Sequence, residues 1–191
     1  MNPETLISIC LGIGLSASVG FRVFLPLFAL SLAAYFDVWQ LNESWQWVGS
    51  TTALITLGVA TLAEIIAYFI PYIDNLLDSI AVPLAGIAGT VVMLSTVANL
   101  DPVITWSLAI IAGGGTAAAI AGTSGTTRLA STVTTAGVAN PLVSTLETVM
   151  SLIMSIISIF MPIVAVIFTL LICYIFFKLY KKLKKTKQIA P

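Results

Sequence analysis

The 191-residue chain has no histidine, only two cysteines, and few charged residues, which make up 8% of it. Without histidine, the usual Ser–His, Cys–His and His–metal arrangements of hydrolases are absent. Cys10 and Cys173 stand far apart in apolar surroundings and outside any C-x-x-C pair. The sequence therefore predicts no catalytic residues, no metal site and no cofactor. A membrane-embedded enzyme is the least favoured class of function.

The chain is correspondingly rich in apolar residues. They make up 59% of the chain, and its mean hydropathy is +1.07. A soluble domain carries about 45–50% apolar and about 25% charged residues, enough to cover its surface for contact with water. This chain lacks that polar surface, so we predict an integral membrane protein with membrane lipids as partners and no nucleic-acid partner. A homo-oligomer is left open.

The few charges are distributed unevenly along the chain. Residues 1–177 contain eight acidic residues and two basic ones, Arg22 and Arg128, whereas all six lysines lie in residues 178–191. Basic residues accumulate on the cytoplasmic side of membrane proteins, which predicts a multi-pass membrane protein with a basic cytoplasmic tail. Loop 37–50 contains no basic residue and three tryptophans, so we expect it on the opposite side if the chain has six spans, and on the cytoplasmic side if segments 5–36 and 103–138 are re-entrant.

Hydropathy divides the chain into about six apolar segments: 5–36, 45–70, 79–98, 103–138, 142–160 and 163–177. They predict an all-α polytopic transmembrane helical bundle. A spanning helix needs about 20 residues, so the first and fourth segments are too long for one straight pass. Both contain several glycines, and we expect each to be either a broken, tilted helix or a re-entrant hairpin.

A weak internal repeat links the two halves of the chain. Residues 65–71 and 156–162 share four identities and end in proline, and each follows a glycine-interrupted segment carrying one arginine. This order predicts a first repeat over 1–98 and a second over 99–177, with three spans each and therefore inverted in the membrane. Many transporters use this 3+3 plan and bind substrate where broken helices meet.

Small residues recur every four positions in both long segments. Gly12, Ser16 and Gly20 form one such set, and the other consists of Gly114, Ala118 and Gly122. This spacing lets helix backbones touch in lipid, so we interpret both sets as packing surfaces. The alternative is unwound backbone that lines a site.

The two arginines within the apolar segments are the main candidate site residues. A charge at bilayer depth costs at least ~2.5–3.5 kcal/mol, so it normally faces a partner or a cavity. Guanidinium offers planar paired donors that suit carboxylate or phosphate. We predict an anion site formed by Arg22 and Arg128 with the neighbouring hydroxyl run of Thr123, Ser124, Thr126 and Thr127. The alternative is that internal acids neutralise each arginine and join helices.

Four acidic residues are candidates for coupling or ion pairing: Glu64, Asp74, Asp78 and Glu147. Asp74 and Asp78 are four residues apart and share a face on a continuous helix. The acids could bind a cation, relay protons, or pair with the arginines. Pairing is the interpretation that we favour.

Three stretches resemble a family of small bacterial integral membrane proteins known only as a domain of unknown function: Gly20-Phe21-Arg22 with Pro26, Pro71 with Asp74 and Asp78, and Thr127-Arg128 with Asn140. The resemblance implies an all-helical inner-membrane protein and brings no substrate or catalytic residue. In plan only, the chain is similar to the DedA-type lipid transporters, which carry intramembrane arginines on re-entrant hairpins. An analogy at the level of fold does not transfer function.

Two hypotheses about function follow. The first is a small transporter or flippase-like protein that handles an anionic group, such as a lipid phosphate, and it predicts a cavity or groove reaching both arginines. The second is a structural or assembly protein, which predicts a closed bundle with each arginine paired to an acid.

Overall fold

The computed structural model describes residues 2–97 and 100–187. Within these residues the protein is all-α, without a strand, as the sequence predicts. A 3-10 helix, Glu43–Gly49, precedes α3, and a π-helical turn, Ala109–Gly114, joins α5 to α6. The α-helices described are α1 Pro3–Val19, α2 Phe24–Tyr35, α3 Thr51–Ala67, α4 Pro71–Thr96, α5 Pro102–Leu108, α6 Gly115–Thr135, α7 Asn140–Phe160 and α8 Pro162–Lys187.

Proline marks the start of most of these helices. Its missing N–H has no intrahelical partner in the first turn, and its φ angle already fits a helix. Proline opens α1, α4, α5 and α8, and it is the second residue of α7. The breaks that the sequence predicts at 99–102, 139–141 and 161–162 each end where a helix starts, whereas the predicted break at 71–78 forms the first two turns of α4.

Three of the described helices are long and apolar enough to cross a membrane: Ile73–Thr96, Pro102–Thr135 and Asn140–Phe160. The 3-10 helix and α3, bent by 64° at their junction, form a fourth if they count as one span. Shorter apolar helices are α1, α2 and the segment Pro162–Lys178 of α8. These lengths and compositions support an integral membrane protein.

Helix α1 packs closely against α4 through its small residues. Gly12 lies against Met93, and the Ser16 hydroxyl donates to the Gly89 carbonyl at 3.0 Å, so the two helices run antiparallel. A Cβ on Gly20 would lie 2.8 Å from a carbonyl oxygen of α6. The small-residue repeat of α1 is a packing surface, which confirms that prediction.

The chain reverses between α1 and α2. The backbone N–H groups of Val23 and Phe24 donate to the Glu64 carboxylate at 2.7 and 3.0 Å, which satisfies exposed donors at the start of α2. At the far end of α2, the Trp39 indole donates to the Ile159 carbonyl at the end of α7. Helix α2 therefore runs alongside α7 and antiparallel to α1, and segment 5–36 is a pair of helices.

The bundle has two ends, named here the tail end and the loop end. Ile172 of α8 packs with Met154 of α7 in one apolar cluster, and α8 returns antiparallel to α7 towards the tail end, where α7 begins. At the loop end, Asn42 donates to the Ser95 carbonyl at the close of α4. Loop 37–50 and the end of α8 thus lie at opposite ends, the relative placement that the charge distribution predicts. Residues 188–191 of the predicted tail lie outside the described residues.

The prediction that segment 103–138 is broken or re-entrant is wrong. Helix α5, the π-helical turn and α6 form one continuous helical path over Pro102–Thr135. Its glycines allow close contact instead of a break, since a Cβ on Gly113 would lie 2.6 Å from the Gly89 carbonyl oxygen of α4. The segment exceeds the length of one straight pass because its 34-residue helix, Pro102–Thr135, runs along the whole bundle.

Candidate functional site

Six ionisable side chains meet in the tail-end half of the bundle, and we call them the charge cluster. They come from the α1–α2 turn and from α3, α4, α6 and α7, and both arginines are at most 2% exposed. Ionisable groups inside membrane helices are costly and usually mark a functional site. The members are Arg22, Glu64, Asp74, Asp78, Arg128 and Glu147.

Arg128 projects from α6 and is surrounded by carboxylates. Its Nε donates to both oxygens of Glu147 at 3.1 and 3.0 Å, and its Nη2 donates to the same carboxylate. Its Nη1 donates to Asp74 and lies 3.7 Å from an oxygen of Asp78. Every side-chain nitrogen of Arg128 therefore has a carboxylate partner.

Arg22 lies in the turn after α1 and contacts α7 mainly through neutral groups. Its Nη2 donates to the carbonyl and hydroxyl of Ser144 at 2.8 and 2.6 Å, and its Nε donates to the Thr148 hydroxyl at 2.9 Å. Its Nη1 lies 3.5 Å from a Glu147 oxygen without a hydrogen bond, and it has no other hydrogen-bond partner among the described residues. Among the described residues, this nitrogen therefore forms an ion pair with Glu147 but no hydrogen bond.

Tyr68, just after α3, contacts both arginines. The guanidinium carbons of Arg22 and Arg128 lie 3.9 and 4.2 Å from the centre of its ring. An aromatic face attracts cations, so the ring helps two positive charges to share one interior. Sequence reasoning missed Tyr68. The available signal was its place in the repeated motif 65–71, next to the predicted turn.

Asn140 connects α7 to the acid end of α4. Its amide donates to Asp74 Oδ2 at 3.3 Å and to the Thr132 hydroxyl at 3.0 Å. Asp74 therefore uses one oxygen for Arg128 and the other for Asn140. These bonds fix the Asp74 carboxylate at the junction of α4, α6 and α7.

The cluster contains more acids than bases. Four carboxylates and two guanidiniums give a formal charge of 2 − 4 = −2 when all are ionised. Glu64 differs from the other three carboxylates of the cluster, because it accepts hydrogen bonds from backbone N–H groups at the start of α2. The helix dipole is positive at that end. In the described part of the chain, no group of His, Cys, Asp or Glu side chains is arranged to hold a metal ion.

The predicted hydroxyl run contributes one residue to the cluster. The Ser124 hydroxyl donates to Glu147. Thr123, Thr126 and Thr127 instead donate to carbonyls of their own helix at 2.9, 2.8 and 3.1 Å, and the latter two are exposed on its outer face. In the described structure these three threonines do not join the cluster.

Two cavities adjoin the cluster. A small one of about 20 Å³ touches Arg128, Glu147, Asp78 and Ser124, and it can hold one water molecule. In the described part of the chain, Arg22 lines neither cavity. The larger is a cleft of about 350 Å³ at the tail end, lined by Tyr68, Phe69, Asp74, Asn75, Thr132, Ala136, Gly137, Val138, Asn140 and Pro141.

A family described as "Domain of unknown function (DUF4126)" matches residues 9–182. The chain belongs to this family. The match includes every member of the charge cluster and confirms the resemblance drawn from the three sequence stretches. No curated protein and no solved structure matches the chain.

Proposed function

We propose that this protein is a small multi-pass membrane transporter or flippase-like protein that handles an anionic group through Arg22 and Arg128. The observation that carries the proposal is the buried Nη1 of Arg22, which has no hydrogen bond among the described residues and only a 3.5 Å ion pair with Glu147. A buried donor without an acceptor costs roughly 1–3 kcal/mol, more when it is charged. An oxygen of a bound anion would satisfy it, beside a second guanidinium that shares the Glu147 carboxylate.

The chemistry of the donors favours a phosphate-type oxyanion, either free or as a lipid headgroup. Guanidinium binds such groups with two parallel hydrogen bonds. Neither arginine lines the tail-end cleft, so the expected cavity reaching both arginines is not among the cavities described; the cleft favours negative charge, because α4 and α7 both begin there. Asp74 in the cleft wall would repel an anion, but it is paired with Arg128.

The same proposal includes an arrangement in the membrane. The α1–α2 pair would be a re-entrant hairpin entered from the loop end, with its turn beside the cluster. The α3–α4 and α7–α8 turns each start a helix with proline and lie at opposite ends of the bundle, which supports an inverted relation between 1–98 and 99–177. The basic segment after Phe177 would be cytoplasmic in a bacterial inner membrane.

A second candidate function is a structural or assembly role. Its support is that all side-chain nitrogens of Arg128 have carboxylate partners and that Arg22 binds hydroxyls of α7. Polar side chains of this kind hold helices together in lipid. Under this alternative the cluster would need no ligand.

Thermal unfolding in phosphatidylcholine nanodiscs separates the two candidates. One arm adds inorganic phosphate, and the other replaces part of the lipid with phosphatidylglycerol. The test variants are Arg22→Lys and Arg128→Lys, which keep the charge but lose the planar pair of donors. Lys178→Gln is the control, because it removes an exposed positive charge outside the cluster.

A transporter of this kind should be stabilised in at least one arm, and the two arginine variants should lose that gain while remaining folded. Stabilisation by phosphate alone indicates a free anion, and stabilisation by phosphatidylglycerol alone indicates a lipid headgroup. If neither arm changes the melting temperature of the wild type, the anion site is refuted and the structural role stands.

A further inference from the structure

Glu147 holds a special position in the charge cluster. Among the described residues, it is the only carboxylate in contact with both arginines. Asp74 and Asp78 pair with Arg128, and Glu64 accepts from the backbone of α2. The position that an incoming anion needs is therefore already occupied by one carboxylate.

Geometry makes the anion and the Glu147 carboxylate compete. Arg22 Nη1 lies 3.5 Å from Glu147 Oε2, so an oxyanion bound to that nitrogen would contact a like charge. The interior of the bundle screens such repulsion poorly. Glu147 must lose its charge or leave before an anion can bind tightly.

We propose that Glu147 is the proton-binding residue of the site, and that an oxyanion binds to Arg22 and Arg128 together with one proton taken up by Glu147. This inference rests on the proposed function. The step exchanges hydrogen bonds only: one proton adds to a Glu147 oxygen, and the guanidinium donors that it releases turn to the anion. Release of the anion returns the proton.

The groups that face Glu147 come from every helix packed around it. Arg22 and Arg128 contact its carboxylate, and Asp74 and Asp78 on α4 pair with the same Arg128. Tyr68 on the α3 side contacts the same two guanidiniums and is neutral. A bound oxyanion would add negative charge beside the Glu147 carboxylate, and a proton on Glu147 would offset that charge.

A short route connects Glu147 with the outside. The Ser124 hydroxyl donates to Glu147, and the cavity of about 20 Å³ between Glu147 and Asp78 can hold one water molecule. The Asp78 side chain is 22% exposed, against 8% for Glu147. In this proposal, Asp78 and one water molecule in the cavity form the path by which a proton reaches Glu147.

The test uses sulfate and the full-length protein in phosphatidylcholine nanodiscs, because sulfate keeps the same charge between acidic and neutral pH. Wild-type affinity for sulfate should weaken about tenfold for each pH unit above the titration point of Glu147, as expected for uptake of one proton. Glu147→Gln imitates the protonated side chain, so its affinity should be high and independent of pH. Glu43→Gln, which changes an exposed carboxylate of the 3-10 helix at the loop end, outside the cluster, should behave like the wild type.

A direct measurement avoids dependence on the folding of the variants. When sulfate is added to weakly buffered wild-type protein carrying a pH-indicator dye in the medium, about one proton per bound sulfate should be taken up. Sulfate binding without proton uptake, or unchanged pH dependence in a folded Glu147→Gln variant, overturns the role of Glu147 and leaves the anion site intact. If sulfate does not bind the wild type at any pH, this inference fails together with the free-anion form of the proposed function, whereas the lipid-headgroup form is decided by the phosphatidylglycerol arm.

Discussion

The Arg128→Ala substitution gives the sharpest test of how the cluster contributes to stability. Arg128 is 2% exposed and is the shared partner of Asp74, Asp78 and Glu147. Its loss leaves buried carboxylates without a positive partner, and removing one partner of a buried pair costs about 3–5 kcal/mol. We expect the variant to lose that much unfolding free energy.

A double-mutant cycle then assigns the loss to particular acids. Glu147→Gln in the Arg128→Ala background removes the carboxylate that makes the most bonds to Arg128, and it should recover about 1–3 kcal/mol. Glu64→Gln in the same background should be additive within about 0.5 kcal/mol, because the described hydrogen bonds of Glu64 go to the backbone of α2.

The measurement is reversible unfolding in mixed micelles titrated with a denaturing detergent, followed by circular dichroism. Each single variant and each pair is compared with the wild type at one pH. If Glu147→Gln and Glu64→Gln restored the same unfolding free energy to Arg128→Ala, the assignment of the loss to Glu147 would be refuted. The loss would then depend on the total buried charge and not on the contacts of Arg128. A loss below about 1 kcal/mol for Arg128→Ala would refute the burial argument itself.

Three further predictions concern packing and topology. Gly89→Ala should destabilise the protein by about 1–3 kcal/mol, because the new Cβ would lie 2.8 Å from a carbonyl oxygen of the π-helical turn. Gly125 has open space around it, so Gly125→Ala should be neutral or slightly stabilising in the same unfolding assay. Ser18→Ala should cost about 0.6–1.7 kcal/mol, the range for interhelical hydrogen bonds in membranes, since its hydroxyl joins α1 to α7. The topology test replaces the two native cysteines and introduces a single cysteine at Ser44 or at Lys178. The cysteine at position 44 should be labelled from outside intact cells, and the cysteine at position 178 only from the cytoplasmic side. Labelling of both positions from one side would contradict the proposed orientation.

Local signals in the sequence were sufficient to predict the class of the fold and most helix boundaries. Apolar composition predicted the membrane bundle, and prolines at the helix starts predicted the breaks. These features depend on a few neighbouring residues and on the solvent around the chain. The packing role of Gly12 and Gly20 was predictable for the same reason, because their spacing places them on one helix face.

The directions of the long segments depend on distant contacts and could not be predicted. Glycines interrupt both 5–36 and 103–138, yet the first segment reverses and the second continues as a helix. The difference arises from partners elsewhere in the chain. Glu64 on α3 accepts from the start of α2 and stabilises the reversal, whereas Gly113 packs on the backbone of α4 and keeps its segment helical.

The sequence identified the charged residues of the candidate site but did not predict how they are arranged. Charge in an apolar chain identified Arg22, Arg128 and their acids, because few other residues could form such a site. Tyr68 carries no charge and resembles any aromatic residue at a helix end, so only the structure revealed its contacts with both arginines. Two threonines of the predicted hydroxyl run, Thr126 and Thr127, lie on the outer face of α6. Successive residues of a helix point in different directions, so these two neighbours of Arg128 face away from the cluster when Arg128 faces into it.

The polar face of α7 connects the stability of the bundle with its site. Buried polar residues follow one another along this face from Asn140 through Ser144, Glu147 and Ser151 to Ser155, at the spacing of helix turns. The opposite face is apolar and exposed, so hydrogen bonds across the α1–α7 contact, more than apolar burial, hold these helices together in lipid. Arg22 and the serines use the same contact, and any movement that frees the arginine must therefore exchange several hydrogen bonds at once.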